Sequence, residues 1–276
     1  KRLMAYSTVS QLGLLTASIG LGTEAGIVAA VLHTIAHALF KSGLFMMVGV
    51  VDHATDTRDL RRFPPKLYRR MPFSFAVMAL GCASMAGIPP MLGFVSKEAI
   101  LAALLGAPEA SWTGWVAFLV ATVGSVLTFA YCARALLGIF FDGMDEERPV
   151  HMHNPLLVGS AALPILVSVP LAAWLAGVAG PVRLAAEAAT GRPAHIHLAL
   201  WHGLGPELYA TAAIVFLGIL VVLQRKRLIG WILQHRFPLD GAKVMWHLTD
   251  WTRRFGSLQA RAVGSDTPPR HVIPIL

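Results

Sequence analysis

The chain has 276 residues, of which 55% are hydrophobic and only 14% are charged. Soluble domains carry about 25% charged residues, so most of this chain must face lipid or other buried helices. This composition argues against a cytosolic enzyme, a disordered regulator and a disulfide-linked secreted domain. Lys and Arg outnumber Asp and Glu by 23 to 15 and give a net charge of +8, which in a membrane protein is first an indicator of topology.

Six apolar segments approach the length of about 20 residues that a bilayer-spanning helix needs. They predict an all-α fold, a polytopic membrane helix bundle with about six transmembrane helices. The segments run approximately over 3–20, 26–51, 72–106, 112–140, 154–178 and 206–223. The stretch 179–205 and the other connections are expected to be loops.

The third segment, 72–106, is too long for one straight span. As a continuous helix it would extend about 52 Å, against a hydrocarbon core of about 30 Å. It contains Pro89 and Pro90 between two glycines, and proline both removes a backbone donor and clashes with the preceding turn. The sequence therefore predicts one transmembrane helix that is broken within the membrane.

The distribution of Lys and Arg predicts the orientation. The loop 52–71 holds six of them, and more follow Leu223, whereas 21–25 and 107–111 hold none. By the positive-inside rule, the loop 52–71 and the C-terminal tail are cytoplasmic. Because the chain begins without Met and ends as a new apolar stretch starts, we treat it as a fragment of a longer protein.

The tail after residue 223 has a different hydrophobic pattern. Five apolar residues recur at alternating steps of four and three, which is typical of an amphipathic helix. They are Val244, Leu248, Trp251, Phe255 and Leu258. Such a helix lies on the cytoplasmic membrane face or against a partner, and an ordinary surface helix of a following domain remains an equal alternative.

Charged and titratable residues inside the apolar segments are the candidate functional residues. His33, His37 and Lys41 follow one another at steps of four, so they form one polar stripe on the second helix. An ammonium group at the bilayer centre costs at least about 2.5–3.5 kcal/mol, and Lys97, directly after the predicted break, carries a similar cost. We interpret these four residues as a proton pathway, because imidazole and desolvated amines change charge readily. The alternatives are histidines that only join helices, Lys41 paired with a buried carboxylate, and a proline kink that serves packing.

A second group of residues is assigned an accessory part in the pathway. The first helix is unusually polar, which is typical of a hydrated path or of helix-to-helix hydrogen bonds, and Glu98 is expected to serve another surface or to cap the half-helix. The candidate accessory residues are Ser7, Thr8, Ser10, Gln11, His53 and Glu98. Cys82 and Cys132 are expected to be buried free thiols.

Three histidine groups lie in predicted loops, and none has the spacing of a strong metal site. They are His151 with His153, His195 with His197, and His202 beside Trp201. We therefore expect no metal site, no cofactor and no nucleic-acid partner.

Several motifs in order resemble the antiporter-like membrane subunits that Mrp-type cation/proton antiporters share with respiratory complex I. The motifs are Ala5 to Gly13, His33 to Phe45, and Gly87 to Glu98. Within that family, Val51 to Asp59 and Leu198 to Gly203 resemble the large A subunit of the Mrp type. The resemblance implies inverted five-helix repeats, each with a broken helix, and proton transfer through Lys41 and Lys97 with His33 and His37 beside them.

The resemblance also implies a division of the chain and a function. Residues 1–140 correspond to most of a second antiporter repeat, 141–223 to additional transmembrane helices and 224–276 to a cytoplasmic amphipathic tail. The expected function is that of a transporter subunit, not an enzyme, in a bacterial cell-membrane complex that exchanges sodium for protons alongside other membrane subunits. A proton-pumping subunit of complex I and a non-transporting scaffold are the alternatives.

Overall fold

The structure is a computed structural model. It describes residues 2–106, 112–146, 148–151, 155–196, 198–200, 203, 205–234 and 241–263. These residues form helices and connections, and no strand occurs among them, in agreement with the predicted all-α class. The chain divides into two compact units, Lys1–Gln224 and Arg225–Leu276.

The described residues of the first unit form nine α-helices. They are α1 (Arg2–Gly20), α2 (Glu24–Thr55), α3 (Leu67–Arg70), α4 (Pro72–Ala86), α5 (Leu92–Leu105), α6 (Trp112–Phe140), α7 (Pro155–Ala173), α8 (Leu175–Thr190) and α9 (Pro206–Leu223). A short 3₁₀ turn, Leu60–Arg62, lies between α2 and α3.

The predicted break in the third segment is present. The helix α4 ends at Ala86, where Gly87 adopts the left-handed conformation with φ of 83°. The helix α5 begins only at Leu92. Glycine at this C-terminal position avoids the steric cost that a Cβ imposes on left-handed backbone, and the two prolines that follow cannot continue the helix.

Four of the described helices are long and apolar enough to cross a membrane. They are α2, α6, α7 and α9. The helix α1 has sufficient length but many hydroxyl and amide side chains, and α4 and α5 have 15 and 14 residues. The chain is therefore a multi-pass membrane protein.

The prediction for the region after 154 is partly wrong. The helix α7 ends at Ala173, short of residue 178, and α8, which ends at Thr190, occupies the first part of the stretch 179–205 that was expected to be a loop. The buried residues of α8 are Leu175, Val178, Val182 and Ala186. Their steps of three and four residues place them on one face, so packing of this face stabilises a helix despite Pro181 and the charges of Arg183 and Glu187.

The long helix α2 lies at the centre of the first unit. Its buried residues include Leu32, Phe40 and Leu44, each with no exposed surface. The helices α2, α4 and α7 approach closely where Ile165 of α7 meets two glycines. A Cβ on Gly43 would lie 2.5 Å from Ile165 Cγ1, and one on Gly81 would lie 2.8 Å from Ile165 Cδ1. Small residues at such crossings allow helix backbones to approach.

The segment after α6 covers the C-terminal end of α2. Arg148 Nη1 donates to the carbonyl oxygens of Thr55 at 3.0 Å and Asp56 at 3.3 Å. The N–H of His151 donates to the carbonyl of Ala54 at 2.8 Å. The last carbonyls of a helix have no partner within it, so these bonds satisfy the end of α2.

The second unit contains α10 (Arg225–Gln234) and α11 (Gly241–Val263). All five apolar residues of the predicted amphipathic pattern lie on α11, and each is exposed. A helix at this position is thus present, while its location on a membrane face or a partner stays a prediction. Residues 264–276 lie outside the described residues.

Candidate functional site: a buried polar line along α2

His33 makes hydrogen bonds to two neighbouring helices. Its Nδ1 lies 2.9 Å from Ser96 Oγ of α5, and its Nε2 lies 3.1 Å from Gln11 Oε1 of α1. Gln11 in turn donates from Nε2 to the hydroxyl of Tyr131 on α6 at 3.4 Å. Because His33 has no exposed surface, these partners replace water on both ring nitrogens. His33 therefore connects α1, α2 and α5.

His37 lies one turn further along α2. Its ring is stacked on that of His33 with a centroid distance of 6.3 Å, and the ring of Phe40 packs edge-on at 5.5 Å. His37 Nε2 is buried and has no hydrogen-bond partner among the described residues. His33, by contrast, is held by protein groups on both nitrogens.

Lys41 occupies the next turn of the same stripe and is buried, with 5% of its surface exposed. Its ammonium donates to Ser7 Oγ of α1 and lies 3.6 Å from the sulfur of Met85 on α4. The Phe45 ring centroid is 5.7 Å from Nζ, a distance at which an aromatic face attracts a cation. The predicted stripe of His33, His37 and Lys41 thus faces the interior of the helix bundle.

Lys97 lies in the second turn of α5, also with 5% of its surface exposed. Its Nζ donates to the carbonyl oxygen of Ala86, the last residue of α4, at 3.3 Å. Its aliphatic chain crosses Gly87, where a Cβ would lie 3.0 Å from Lys97 Cδ. The break therefore supplies a backbone acceptor for a buried ammonium, which replaces part of its lost hydration.

These groups follow one another in the interior of the bundle, and we name them the polar line: Lys97, Ser96, His33, His37, Lys41 and Ser7. His33 lies within electrostatic range of Lys97 and His37, and His37 lies within range of Lys41. In the part of the chain that the structure describes, no carboxylate lies within ion-pair distance of either lysine. Pairing of Lys41 with a buried carboxylate is therefore not observed.

The candidate accessory residues separate into two groups. Ser7 and Gln11 contact the polar line directly, through Lys41 and His33. Thr8 bonds to the carbonyl of Met4 in its own helix, and Ser10 lines a cavity beside α1.

His53 and Glu98 do not share these contacts. Being 20 residues from His33 on one helix, His53 is about 30 Å away, and it lines an open groove of 520 Å³ at the end of α2. Glu98 is buried in α5, and that helix begins at Leu92. Of the two expectations for Glu98, capping of the half-helix does not fit, because the unpaired amides lie in the first turn of α5 and Glu98 lies in the second. Service to another surface stays a prediction.

Several contacts of the polar line were not predicted from sequence. Ser96, Tyr131, Met85 and the carbonyl of Ala86 all become neighbours through the packing of separate helices. For Ser96 the sequence offered one signal, its position directly before the buried Lys97. Cys132 lies within electrostatic range of both lysines, and it and Cys82 are buried free thiols as predicted.

A cavity of 470 Å³ adjoins the polar line at Gln11. It lies between α1, α5 and α6, and its lining is mainly apolar, with Ser125 and Thr128 among the polar exceptions. Its polar lining includes Gln11, the residue that bonds to His33.

The structure describes only part of the histidine groups in the loops. Among the described residues, no three His, Cys, Asp or Glu side chains are arranged to hold a metal ion. His151 Nε2 lies 3.7 Å from Asp56 Oδ2, and His195 Nδ1 lies 3.8 Å from Glu24 Oε1. His153, His197, Trp201 and His202 lie outside the described residues.

The fold and the polar line together define a polytopic membrane helix bundle with buried charged and titratable side chains. Residues 1–128 match the family described as NADH:quinone oxidoreductase/Mrp antiporter, transmembrane region. The A subunit of the Na(+)/H(+) antiporter of Alkalihalophilus pseudofirmus is 36% identical, and the match covers 82% of this chain and 32% of that protein. The A1 subunit of the Na(+)/H(+) antiporter of Staphylococcus epidermidis is 31% identical, with coverages of 87% and 33%.

A solved structure is similar over nearly the whole chain. It is described as the Mrp complex from Dietzia sp. DQ12-45-1b, with 40% identity and a TM-score of 0.79, and the match covers 99% of this chain and 29% of that one. Residues 1–128 belong to the NADH:quinone oxidoreductase/Mrp antiporter family, and the chain's antiporter-like domain is of the type found in the large A subunit of Mrp antiporters. It spans about a third of the length of the curated relatives that it matches.

Proposed function

We propose that this chain is part of the large subunit of a multi-subunit sodium/proton antiporter, and that its polar line carries protons between Lys97 and Lys41. The observation that carries the proposal is the succession of titratable side chains along the interior of the bundle. Lys97, His33 and Lys41 are each at most 5% exposed. Buried ionisable groups in membrane helices are costly and typical of proton pathways.

The spacing of these groups suits proton transfer. The rings of His33 and His37 have centroids 6.3 Å apart, and one water can bridge polar groups at such a separation. Imidazole exists in both charge states near neutral pH. An amine without a carboxylate partner is also able to change charge, whereas a tight ion pair would hold its proton.

Substitution of the two lysines in the full complex tests the proton path. We expect Lys97→Ala and Lys41→Ala to lower sodium-dependent proton exchange in inverted membrane vesicles by about a hundredfold, the usual scale for loss of a proton-transfer group. Lys243→Ala is the matched control, because Lys243 is exposed on α11. Wild-type exchange rates in either buried variant would refute the path.

A second pair of variants separates proton transfer from a purely structural charge. Arginine keeps a positive charge but does not release its proton under physiological conditions. We expect Lys97→Arg to assemble into the complex and still fail to exchange. Recovery of exchange in Lys97→Arg would instead assign Lys97 a fixed-charge role.

The proposed partners are the other membrane subunits of an Mrp-type complex, with protons and monovalent cations as the transported species. The relatives named above are antiporter subunits, which supports this choice over a complex I subunit. Purification of the native complex tests it. Co-purifying flavin and iron–sulfur subunits with quinone reductase activity would favour complex I, and neutral phenotypes of both lysine variants would favour a scaffold.

We further propose that the loop 52–71 and the tail after residue 223 face the cytoplasm, on the basis of the Lys and Arg distribution. Residues 1–140, 141–223 and 224–276 then form the repeat, the additional helices and the tail. Single cysteines at Arg62 and Arg192, both exposed, provide the test. A membrane-impermeant maleimide should label Arg192→Cys but not Arg62→Cys in intact cells, because only residue 192 would face the outside. Cys82 and Cys132 should add little background labelling, because both are buried.

A further inference from the structure

The two cysteines of the chain lie side by side in the core of the first unit. Cys82 is on α4 and Cys132 is on α6, and their thiols interact through a hydrogen bond. Both thiols are free, and the two residues are 4% and 2% exposed. Neither belongs to the polar line. The packing of α4 on α6 thus encloses a pair of thiols that the proposed function does not use.

The surroundings of this thiol pair are positively charged. Cys132 lies within electrostatic range of Lys41 and Lys97, and Cys82 lies within range of Lys41. Among the residues that the structure describes, neither lysine has a carboxylate within ion-pair distance. Burial of a charge is costly unless an opposite charge or hydrogen-bond partners compensate it. The two sulfur atoms are therefore well placed to carry a negative charge.

We propose that Cys82 and Cys132 form a binding site for one soft univalent metal ion, Cu(I) or Ag(I). Soft ions of this kind prefer sulfur ligands, and two thiolates in a linear arrangement complete their coordination. The ion displaces the proton of each thiol, so two protons leave, two metal–sulfur bonds form and no electron is transferred. One positive ion and two thiolates give a single net negative charge, within electrostatic range of Lys41 and Lys97.

A site of two thiols disfavours other metal ions. Structural zinc is almost always held by four ligands, and the described residues contain no group of three His, Cys, Asp or Glu side chains that could hold a metal ion. Hard ions such as sodium and magnesium prefer oxygen ligands. The thiol pair therefore selects by its chemistry against the cations that the proposed antiporter transports.

A cavity gives an approach to the thiols. Ser125 and Thr128 line the cavity of 470 Å³ between α1, α5 and α6. Ser125, Thr128 and Cys132 follow one another at steps of three and four residues, so they share one face of α6. Cys132 is one turn beyond Thr128, about 6 Å along the helix. An ion in this cavity therefore meets hydroxyl groups before it reaches the first thiol.

Silver counting in the purified full complex tests the site. Ag(I) is the probe because it keeps its oxidation state, and nitrate buffers avoid precipitation of silver chloride. A thioether competitor during desalting removes ions that only one sulfur holds. We expect Cys82→Ala and Cys132→Ala each to retain one silver ion fewer per copy of this chain than the wild type. An unchanged silver count in these variants would overturn the inference.

The double variant separates one shared site from two independent thiols. Because one ion joins both sulfur atoms, we expect the combination of Cys82→Ala and Cys132→Ala to lose one silver ion in total, the same number as either single variant. A loss of two ions in the double variant would show that the thiols bind independently and would overturn the inference.

Met47→Leu is the matched control. Met47 is a fully buried residue with a sulfur atom on α2, and exchange of methionine for leucine nearly conserves volume. We expect this variant to retain the silver count of the wild type. An equal loss in Met47→Leu and Cys82→Ala would show a general effect of core substitution and would contradict the thiol site.

Serine variants keep the site testable if the alanine variants do not assemble. Cys82→Ser and Cys132→Ser nearly retain the side-chain shape, but a hydroxyl is a hard ligand, so we expect the same loss of one silver ion. Silver binding at the wild-type count in the assembled serine variants would overturn the inference. The silver count requires no exchange activity, so an active Lys97→Ala would refute the proposed path and leave this site intact.

Discussion

Lys97 reaches back across the break between α4 and α5 and donates from Nζ to the carbonyl oxygen of Ala86 at 3.3 Å. The final carbonyls of a helix lack partners within the helix and carry the negative end of its dipole. The last backbone carbonyl of α4 therefore stabilises a buried cation at this position. The broken helix thus supplies Lys97 with a neutral hydrogen-bond acceptor. This carbonyl does not form an ion pair with the ammonium, as a carboxylate would.

This relationship depends on Gly87, and Gly87→Ala tests it. The φ of 83° at Gly87 is costly for any residue with a Cβ, and that Cβ would lie 3.0 Å from Lys97 Cδ. We expect the exchange rate to fall at least about tenfold, because Lys97 loses its position, and stability to fall by about 1–2 kcal/mol. Exchange assays and thermal unfolding of the purified complex measure the two effects. In Gly49→Ala the added Cβ meets no atom within 4 Å, so the exchange rate and the stability should both be preserved. Equal losses in Gly87→Ala and Gly49→Ala would contradict this role of Gly87.

The crossing of α2 and α7 gives a second prediction. In Gly43→Ala, the added Cβ would lie 2.5 Å from Ile165 Cγ1, so the helices must separate, at a cost of about 1–3 kcal/mol. Combination with Ile165→Ala removes the clashing atoms. A double-mutant cycle on thermal stability should then give a coupling energy of about 1 kcal/mol, and simple additivity would show that the two residues do not interact as described.

The end of α2 gives a third prediction, through Arg148. We expect Arg148→Ala to cost about 1–2 kcal/mol, because it leaves the carbonyls of Thr55 and Asp56 without this donor. Faster hydrogen exchange of amides in the last turn of α2 would report the loss. Arg58→Ala is the control, since Arg58 is 69% exposed and its ion pair with Asp52 is of a kind worth about 0–1 kcal/mol. Equal effects of the two substitutions would contradict the capping role.

The fourth prediction concerns acid. The hydrogen bond from the Arg61 backbone N–H, at 3.0 Å, holds the pKa of the exposed Asp59 carboxyl below its usual range, and the charges of Arg61 and Arg62 act in the same direction. A lowered pKa stabilises the folded loop above the ordinary value of about 3.9, and this contribution is lost as the pH falls through the lowered value. We expect hydrogen-exchange protection of the Arg61 amide, corrected for intrinsic rates, to decrease in that range. Asp59→Asn should abolish the pH dependence of this protection. If the pH dependence persists in Asp59→Asn, a group other than Asp59 causes it.

Local sequence signals were sufficient to predict the helical class, the broken helix and the shared face of His33, His37 and Lys41. Pro89 and Pro90 predicted the break because proline acts within its own turn. The step of four residues predicted that His33, His37 and Lys41 share a face because helix geometry is local. The helix α8 was missed although Leu175, Val178, Val182 and Ala186 have helical spacing, since its charges and Pro181 resembled a loop.

The partners of the buried groups were not accessible to such reasoning. Ser96 is 63 residues from His33, and Tyr131 is 120 residues from Gln11. These contacts depend on how α1, α5 and α6 pack around α2, which no local pattern specifies. The same is true of Lys97 and Ala86, because the direction of the side chain relative to the break follows from the angle between the two half-helices.

The unequal surroundings of His33 and His37 have a consequence for how a proton path is reset. An imidazole that takes a proton on one nitrogen and releases it from the other regains its first tautomer only when the ring turns or the proton returns. Rotation of His33 would break bonds to both Ser96 and Gln11. His37 has no hydrogen-bond partner on Nε2 among the described residues, so ring reorientation is expected there, beside a neighbour that keeps its orientation.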